Sequence, residues 1–304
     1  MWREDGWRLK QVQIYHYDAF SDIPGKGNPA GVVLNAENLT GEEMQAAAKA
    51  AGFNETTFIL PSQAADFTFK YYTPGHEMNL CGHGTMGAIS CMLDQGLIGG
   101  QSVITLETKA GILPIELLQA SNYPLVMKQA APAFKPFTGD KQALMESIGL
   151  TLAELDDSMP IVYGSTGTWT LLIPVKELTA FAAMKPENAR FPVILKEMPR
   201  TSLHPFCMQT IHEDAVMHAR HFSSPYSGTI EDPVTGTASG VMGAYYMTYL
   251  HPELESAELI IEQGQEMGRD GKVRVLVNRS AEQTIDVRIA GSAVCVRSFT
   301  ADIG

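Results

Sequence analysis

Basic charge is scarce in this chain. Its 304 residues carry 22 Lys and Arg against 34 Asp and Glu, a formal net charge of -12. Such a surface repels phosphate backbones, so nucleic acid is not an expected partner. Cysteine is scarce too: the four, at positions 81, 91, 207 and 295, have neither metal-motif nor disulfide-framework spacing. A reduced, cytoplasmic protein is the simplest expectation. Long apolar runs are also missing. A stretch without a charge, Pro233 to Leu250, is rich in Gly, Thr and Ser and falls short of the ~20 apolar residues that a membrane span needs. The segment Met1-Trp-Arg-Glu-Asp-Gly-Trp-Arg-Leu-Lys10 is charged and has no apolar core, which argues against a secretion signal.

What the chain does have is a repeat. Cys81-Gly-His-Gly-Thr-Met-Gly-Ala88 and Asp232-Pro-Val-Thr-Gly-Thr-Ala-Ser-Gly240 read as two copies of one glycine-hinged helix start, with Gly84 and Gly236 half a chain length apart. Features on either side keep the same order. Upstream, Tyr71-Tyr-Thr-Pro74 answers Phe222-Ser-Ser-Pro225; downstream, Val103-Ile-Thr-Leu-Glu-Thr-Lys-Ala-Gly111 answers Leu259-Ile-Ile-Glu-Gln-Gly264. Between them lie uncharged segments, Leu80 to Leu93 and Pro233 to Leu250, whose length and small residues favour helices. A helix with no polar face must be surrounded by protein.

The remaining pattern is mainly strand. Gln11–Tyr17, Phe67–Thr73, Val103–Glu107, Ile112–Leu118 and Tyr123–Lys128 read as strands in the first half. Trp169–Val175, Ala215–Phe222, Leu259–Glu262, Val273–Asn278, Thr284–Ile289 and Ala293–Phe299 do so in the second. Lys109-Ala-Gly111 and Ala290-Gly-Ser292 suggest hairpin turns. Thr40 with Glu43 forms a capping box for a helix that faces inward through Met44, Ala47, Ala48 and Ala51 and stops at Gly52. Proline-rich patches at 132–136 and 186–205 read as connections. The expected fold class is α+β in two similar lobes, 1–120 and 121–291, with a last strand at about 292–304 packing back onto the first.

Three proton-transfer groups stand near the helix starts. Glu55, in Asn54-Glu-Thr-Thr-Phe58, follows a helix end and precedes an apolar run, where lost hydration would suit a general base. Its counterpart segment, Thr201-Ser-Leu-His-Pro-Phe206, has no such carboxylate. His83 is placed to move a proton, and Asp232 is held extended by Pro233. Each also has a structural reading: a solvated glutamate, a buried histidine, a helix cap. Amides at the two helix starts are suited to a substrate carboxylate without any arginine. The candidate binding set is Asn54, Gly82, Gly84, Thr85, Gly236 and Thr237, with no metal and no cofactor expected.

Together these residues resemble the PhzF-like family, relatives of the phenazine-biosynthesis isomerase that share the diaminopimelate epimerase fold. The resemblance rests on Tyr17-Asp-Ala-Phe20, Gly27-Asn-Pro-Ala-Gly-Val-Val-Leu34, Asn54-Glu-Thr-Thr-Phe58, Tyr72-Thr-Pro-Gly75, Cys81-Gly-His-Gly-Thr85, Glu231-Asp-Pro-Val-Thr-Gly-Thr-Ala238, Glu262-Gln-Gly264 and Met267-Gly-Arg269. It implies two pseudo-symmetric lobes, each a β-barrel around a central helix, an active site in the cleft between them, and a homodimer. It also implies a cofactor-independent isomerase in which Glu55 is the base, His83 the motif histidine and Asp232 the motif aspartate. Thr237 and Asn54 replace serines of the phenazine enzyme, which puts that enzyme's own substrate in doubt. A small carboxylate with an acidic C–H is the expected substrate class, its proton moving in an allylic, 1,3- or 1,5-type shift.

The same residues admit other readings. Epimerase relatives use two cysteines; Cys81 matches one, but Pro233 stands where the second belongs, leaving only a one-thiol racemase or a structural Cys81. Gly82-His-Gly-Thr-Met-Gly87 formally fits a dinucleotide fingerprint, yet no clean strand precedes it. His212-Glu213 lacks the second histidine of a zinc hydrolase, Val216 standing in its place. A non-catalytic binding scaffold of the same fold is the last alternative.

Overall fold

Thr40 and Glu43 start the first helix as a reciprocal capping box, and Gly52 ends it in the left-handed conformation at φ 73°. The computed structural model describes residues 10–118 and 124–303; the expected features at 1–9 and at Tyr123 lie outside them. The chain divides into two compact units, Met1–Met127 with Gly291–Gly304, and Lys128–Ala290. The first contains β1 (Lys10–Ala19), β2 (Asn28–Val33), α1 (Gly41–Ala51), β3 (Thr56–Pro61), β4 (Phe67–Tyr72), β5 (Glu77–Met78), α2 (Gly82–Asp94), β6 (Val103–Thr108), β7 (Gly111–Leu117) and β8 (Leu125–Lys128). Then follow β9 (Ala133–Pro136), α3 (Lys141–Glu146), β10 (Val162–Ser165), β11 (Trp169–Pro174), α4 (Phe191–Ile194), β12 (Ser202–Cys207), β13 (Met217–Ala219), α5 (Gly236–Tyr245), β14 (Ser256–Gln263), β15 (Gly271–Arg279) and β16 (Ile285–Gly291). Finally β17 (Ala293–Ile303) belongs to the first unit.

The strand pairings make the duplication explicit. Among the described residues the first unit runs β17-β1-β2-β3-β4-β6-β7-β8, antiparallel except at β2–β3 and β4–β6. The second runs β9 to β16 in chain order, antiparallel except at β11–β12 and β13–β14. The two parallel steps fall at the same places in both ribbons. By this correspondence α2 matches α5, β3 matches β12, and β17 fills in the first ribbon the place that β9 fills in the second.

Each ribbon packs on its apolar helix, α2 carrying a single acidic side chain at its last residue, Asp94. α2 lies against β1, β2, β3 and β17, and α5 against β10, β14 and β15. Small residues permit the approach: a Cβ on Gly243 would meet Val275 Cγ1 at 2.5 Å and Val277 Cγ2 at 2.9 Å. Every residue from Gly84 to Met92 is buried. No helix among the described residues is long and apolar enough to cross a membrane.

Several strands escape a reading by pattern. The patch at 132–136 contains β9, and the one at 186–205 contains α4 and the first part of β12, so neither is a plain connection. In β12 Pro205 donates nothing to the ladder, yet its carbonyl accepts from Arg220 N at 3.1 Å and all of Ser202–Cys207 is buried. Proline thus disguised a core strand. At Ala290–Ser292 the chain leaves β16, paired with β15, for β17, paired with β1; the hairpin expected there is a passage between units.

Candidate active site

In the first unit Glu55 occupies the short bend between α1 and β3. Its carbonyl accepts from Gly31 N at 3.0 Å, and Thr56 is in register with Gly31 on parallel β2. Gly31 is required for that approach, because a Cβ there would meet Thr56 Oγ1 at 2.6 Å. Thus fixed, Glu55 Oε2 reaches within 2.9 Å of His83 Nε2, with side-chain exposures of 17% and 11%. The contact has ion-pair distance without hydrogen-bond direction, and the buried Oε2 has no hydrogen bond.

Cys81 completes the cluster as the N-cap of α2. Its Sγ accepts from Gly84 N at 3.4 Å and lies 3.6 Å from His83 Nδ1. Gly84 is sterically enforced: a Cβ would meet Thr57 Oγ1 at 2.7 Å and Cys81 Sγ at 3.1 Å. Thr57 is fully buried and its hydroxyl has no hydrogen-bond partner.

Electrostatics then separate the groups. Burial raises the Cys81 pKa above its ordinary value; His83 opposes and Glu55 reinforces that rise. Burial works against the His83 imidazolium, but the neighbouring Cys81 and Glu55 outweigh it and raise the pKa well above the ordinary histidine value.

Of the expected binding residues in this unit, Asn54 is partly buried beside Glu55, and Gly82 opens α2 with clear space where a Cβ would project. Thr85 is engaged within the protein. It is fully buried, its hydroxyl donates to Cys81 O and pairs with Tyr71 Oη, both at 2.7 Å, and its amide donates to Cys81 O. In this structure both its hydroxyl and its amide brace the helix start.

The second unit carries the other candidates. Asp232 Oδ2 accepts from Thr235 Oγ1 at 2.5 Å. Gln263, ending β14, grips the same loop: Oε1 accepts from Thr235 N at 3.1 Å, while Nε2 donates to Asp232 O at 2.8 Å and to Thr235 Oγ1 at 3.3 Å. Next to it Gly264, at φ 99°, leaves room for Pro233 O, which a Cβ would meet at 2.7 Å. Arg220 forks onto Glu231, Nε to Oε1 at 2.8 Å and Nη2 to Oε2 at 2.7 Å, and so anchors the residue preceding Asp232. Gly236 and Thr237 form the first turn of α5, whose amides have no helical acceptor.

Sequence reasoning overlooked Gln263, Thr235, Arg220 and the capping role of Cys81. Glu262-Gln-Gly264 stood out as a strand end and a family motif, but with no role for Gln263, since its partners lie 28 and 31 residues away. The dinucleotide reading fails on geometry: Gly82 already begins a helix, β5 before it has two residues, and Gly87 packs against Tyr17. For metal, the ligand atoms of Glu55, Cys81 and His83 all lie within 4.8 Å of one another.

The chain matches the family of phenazine biosynthesis-like proteins, PhzC-PhzF, over residues 17–298. It is 47% identical over 287 residues to the uncharacterized isomerase YfhB of Bacillus subtilis, spanning 94% of this chain and 97% of that one. A crystal structure of a Bacillus anthracis phenazine biosynthesis protein of the PhzF family superposes with a TM-score of 0.93 at 52% identity, over 96% of this chain and 99% of that chain. The trans-2,3-dihydro-3-hydroxyanthranilate isomerase of Pseudomonas chlororaphis is 25% identical over 288 residues, 92% of this chain and 97% of its own. Epimerase structures at 21% and 11% identity share the fold alone, the diaminopimelate epimerase-like one.

Proposed function

This chain belongs to the family of phenazine biosynthesis-like proteins and is an isomerase, and on that premise we propose that it moves a proton between two carbons of a small carboxylate-bearing metabolite without metal or organic cofactor. One observation carries the reading: a buried glutamate oxygen with no hydrogen bond, 2.9 Å from an imidazole. A carboxylate oxygen so placed keeps a lone pair outside any hydrogen bond, beside a group that can itself carry a proton, as proton transfer requires.

In this reaction Glu55 accepts a proton from an acidic C–H next to the substrate's conjugated system. The electron pair left on carbon delocalises toward the substrate carboxylate. First-turn amides of α2 at Gly82 and His83 hold that carboxylate, Asn54 orients it, and the His83 imidazolium supplies positive charge as charge develops. The proton then returns to a different carbon, so the net change is a hydrogen shift with no external reagent. Asp232, Gly236 and Thr237 are assigned to the same reaction by the motif they carry, Asp232 as the second proton-transfer group. The substitutions at Asn54 and Thr237 favour a substrate other than the dihydro-hydroxyanthranilate of the Pseudomonas chlororaphis relative.

The test is turnover in D2O of small acids retained by the protein. Deuterium must appear in product at the carbon that receives the proton, and Glu55→Gln must abolish it while ligand binding survives. Full activity in Glu55→Gln would overturn the assignment.

A further inference from the structure

Three chemically different donor atoms meet at the start of α2. His83 Nε2 is 2.9 Å from Glu55 Oε2 and 3.8 Å from Cys81 Sγ, and the ligand atoms of all three residues lie within 4.8 Å of one another. Tetrahedral zinc, with bonds of about 2.0–2.3 Å, sets its ligand atoms about 3.3–3.6 Å apart. The observed separations bracket that range. The cluster is buried on the Cys81 side, and Glu55 Oε2 has no competing hydrogen bond. A thiolate, an imidazole and a carboxylate together select zinc-like ions over magnesium or calcium, which prefer oxygen alone.

We infer that Glu55, Cys81 and His83 form a capture site for Zn2+, and that its occupation switches the isomerase off. Coordination forms Zn–S, Zn–N and Zn–O bonds; the thiol proton and one imidazolium proton pass to solvent, and nothing is oxidised or reduced. Once its lone pair is on the metal, Glu55 cannot accept a proton from carbon. Three protein ligands leave a fourth position for water. The inhibitory half of the inference rests on Glu55 being the base; the binding half does not.

The whole protein, stripped of metal and kept reduced, is titrated with Co2+ as a spectroscopic stand-in for Zn2+. One equivalent is expected to produce a thiolate-to-cobalt charge-transfer band that Zn2+ bleaches. Cys295, the exposed thiol, serves as the control: Cys295→Ser keeps the band and Cys81→Ala loses it. Because Cys81 caps α2, Glu55→Gln provides a variant with the cap intact, expected to bind Co2+ roughly tenfold or more weakly. No band, or one that survives Cys81→Ala, overturns the site. Zn2+ at saturation is expected to stop deuterium exchange into a turned-over acid. A normal cobalt band with unimpaired exchange overturns the inhibition, whereas Glu55→Gln assayed without metal tests the base by itself.

Discussion

Glu55 and His83 approach to 2.9 Å between Oε2 and Nε2 although they are held by different elements, the bend before β3 and the first turn of α2. Neither element alone would create the pair. Gly31 lets β3 close on β2, and Gly84 lets α2 close on Thr57, so two glycines govern how near the carboxylate comes to the imidazole.

Glu55→Gln keeps the volume and removes the base. The expected kcat is about 10²–10⁴-fold lower with KM little changed, as for loss of a positioned general base. Steady-state kinetics on a retained acid measure it; a rise in KM alone would instead assign Glu55 to binding.

The pH profile should carry the mark of His83. Burial disfavours its imidazolium, but Cys81 and Glu55 outweigh that and raise the pKa well above the ordinary value. The protonated form therefore persists as pH climbs through ~6.5, and kcat/KM is expected to fall only beyond it. Loss of activity centred at an ordinary histidine pKa would contradict this, and His83→Asn should remove that limb.

Cys81→Ala distinguishes a cap from a catalytic thiol. Loss of the sulfur acceptor for Gly84 N is expected to cost about 0.5–1 kcal/mol, read by denaturant unfolding. Isomerase turnover should persist. Complete loss in a folded variant would revive the one-thiol racemase.

Gln263→Leu leaves Thr235 N and Asp232 O without their side-chain partner. About 1–3 kcal/mol of stability should be lost. A larger effect on kcat than on KM, in protein with an unchanged near-ultraviolet spectrum, would mark Gln263 as holding Asp232 for the reaction; equal loss in both would make it a brace only.

His218 sits between Glu262 Oε1 at 2.8 Å and Glu266 Oε1 at 2.9 Å, its side chain fully buried. Burial lowers its pKa, but the two carboxylates prevail and the net direction is up. Burial likewise raises both glutamates, yet His218 brings them below the ordinary value. The raised histidine stabilises the fold fully below its unfolded pKa and loses that contribution as pH rises through the folded one. The lowered glutamates contribute above their unfolded pKa and lose it as pH falls through theirs. Stability should therefore peak between these limits, and His218→Ala should flatten the peak and cost about 3–5 kcal/mol. Urea unfolding across pH decides; an unaltered profile in the variant would refute it.

Local signals made much of the architecture legible. The capping box at Thr40, the two charge-free segments and the glycine starts each depend on neighbours in sequence, and the repeat pointed to two similar halves. The structure brings Glu55 and His83 together. Thr85 reads as a ligand donor in sequence, whereas the bonds of its hydroxyl with Tyr71 and Cys81 emerge only in the tertiary structure. β12 was hidden by Pro205, and Gln263 by a reach of 28 and 31 residues, both matters of tertiary pairing that no local pattern encodes.

The position of β17 bears on how the chain acquires its shape during synthesis. Domains made on a ribosome usually fold in the order they emerge. Here the first unit lacks a strand until β17 appears, after the whole contiguous stretch Lys128–Ala290 has been made. The half that begins first is finished last, and until then β1 presents an open edge.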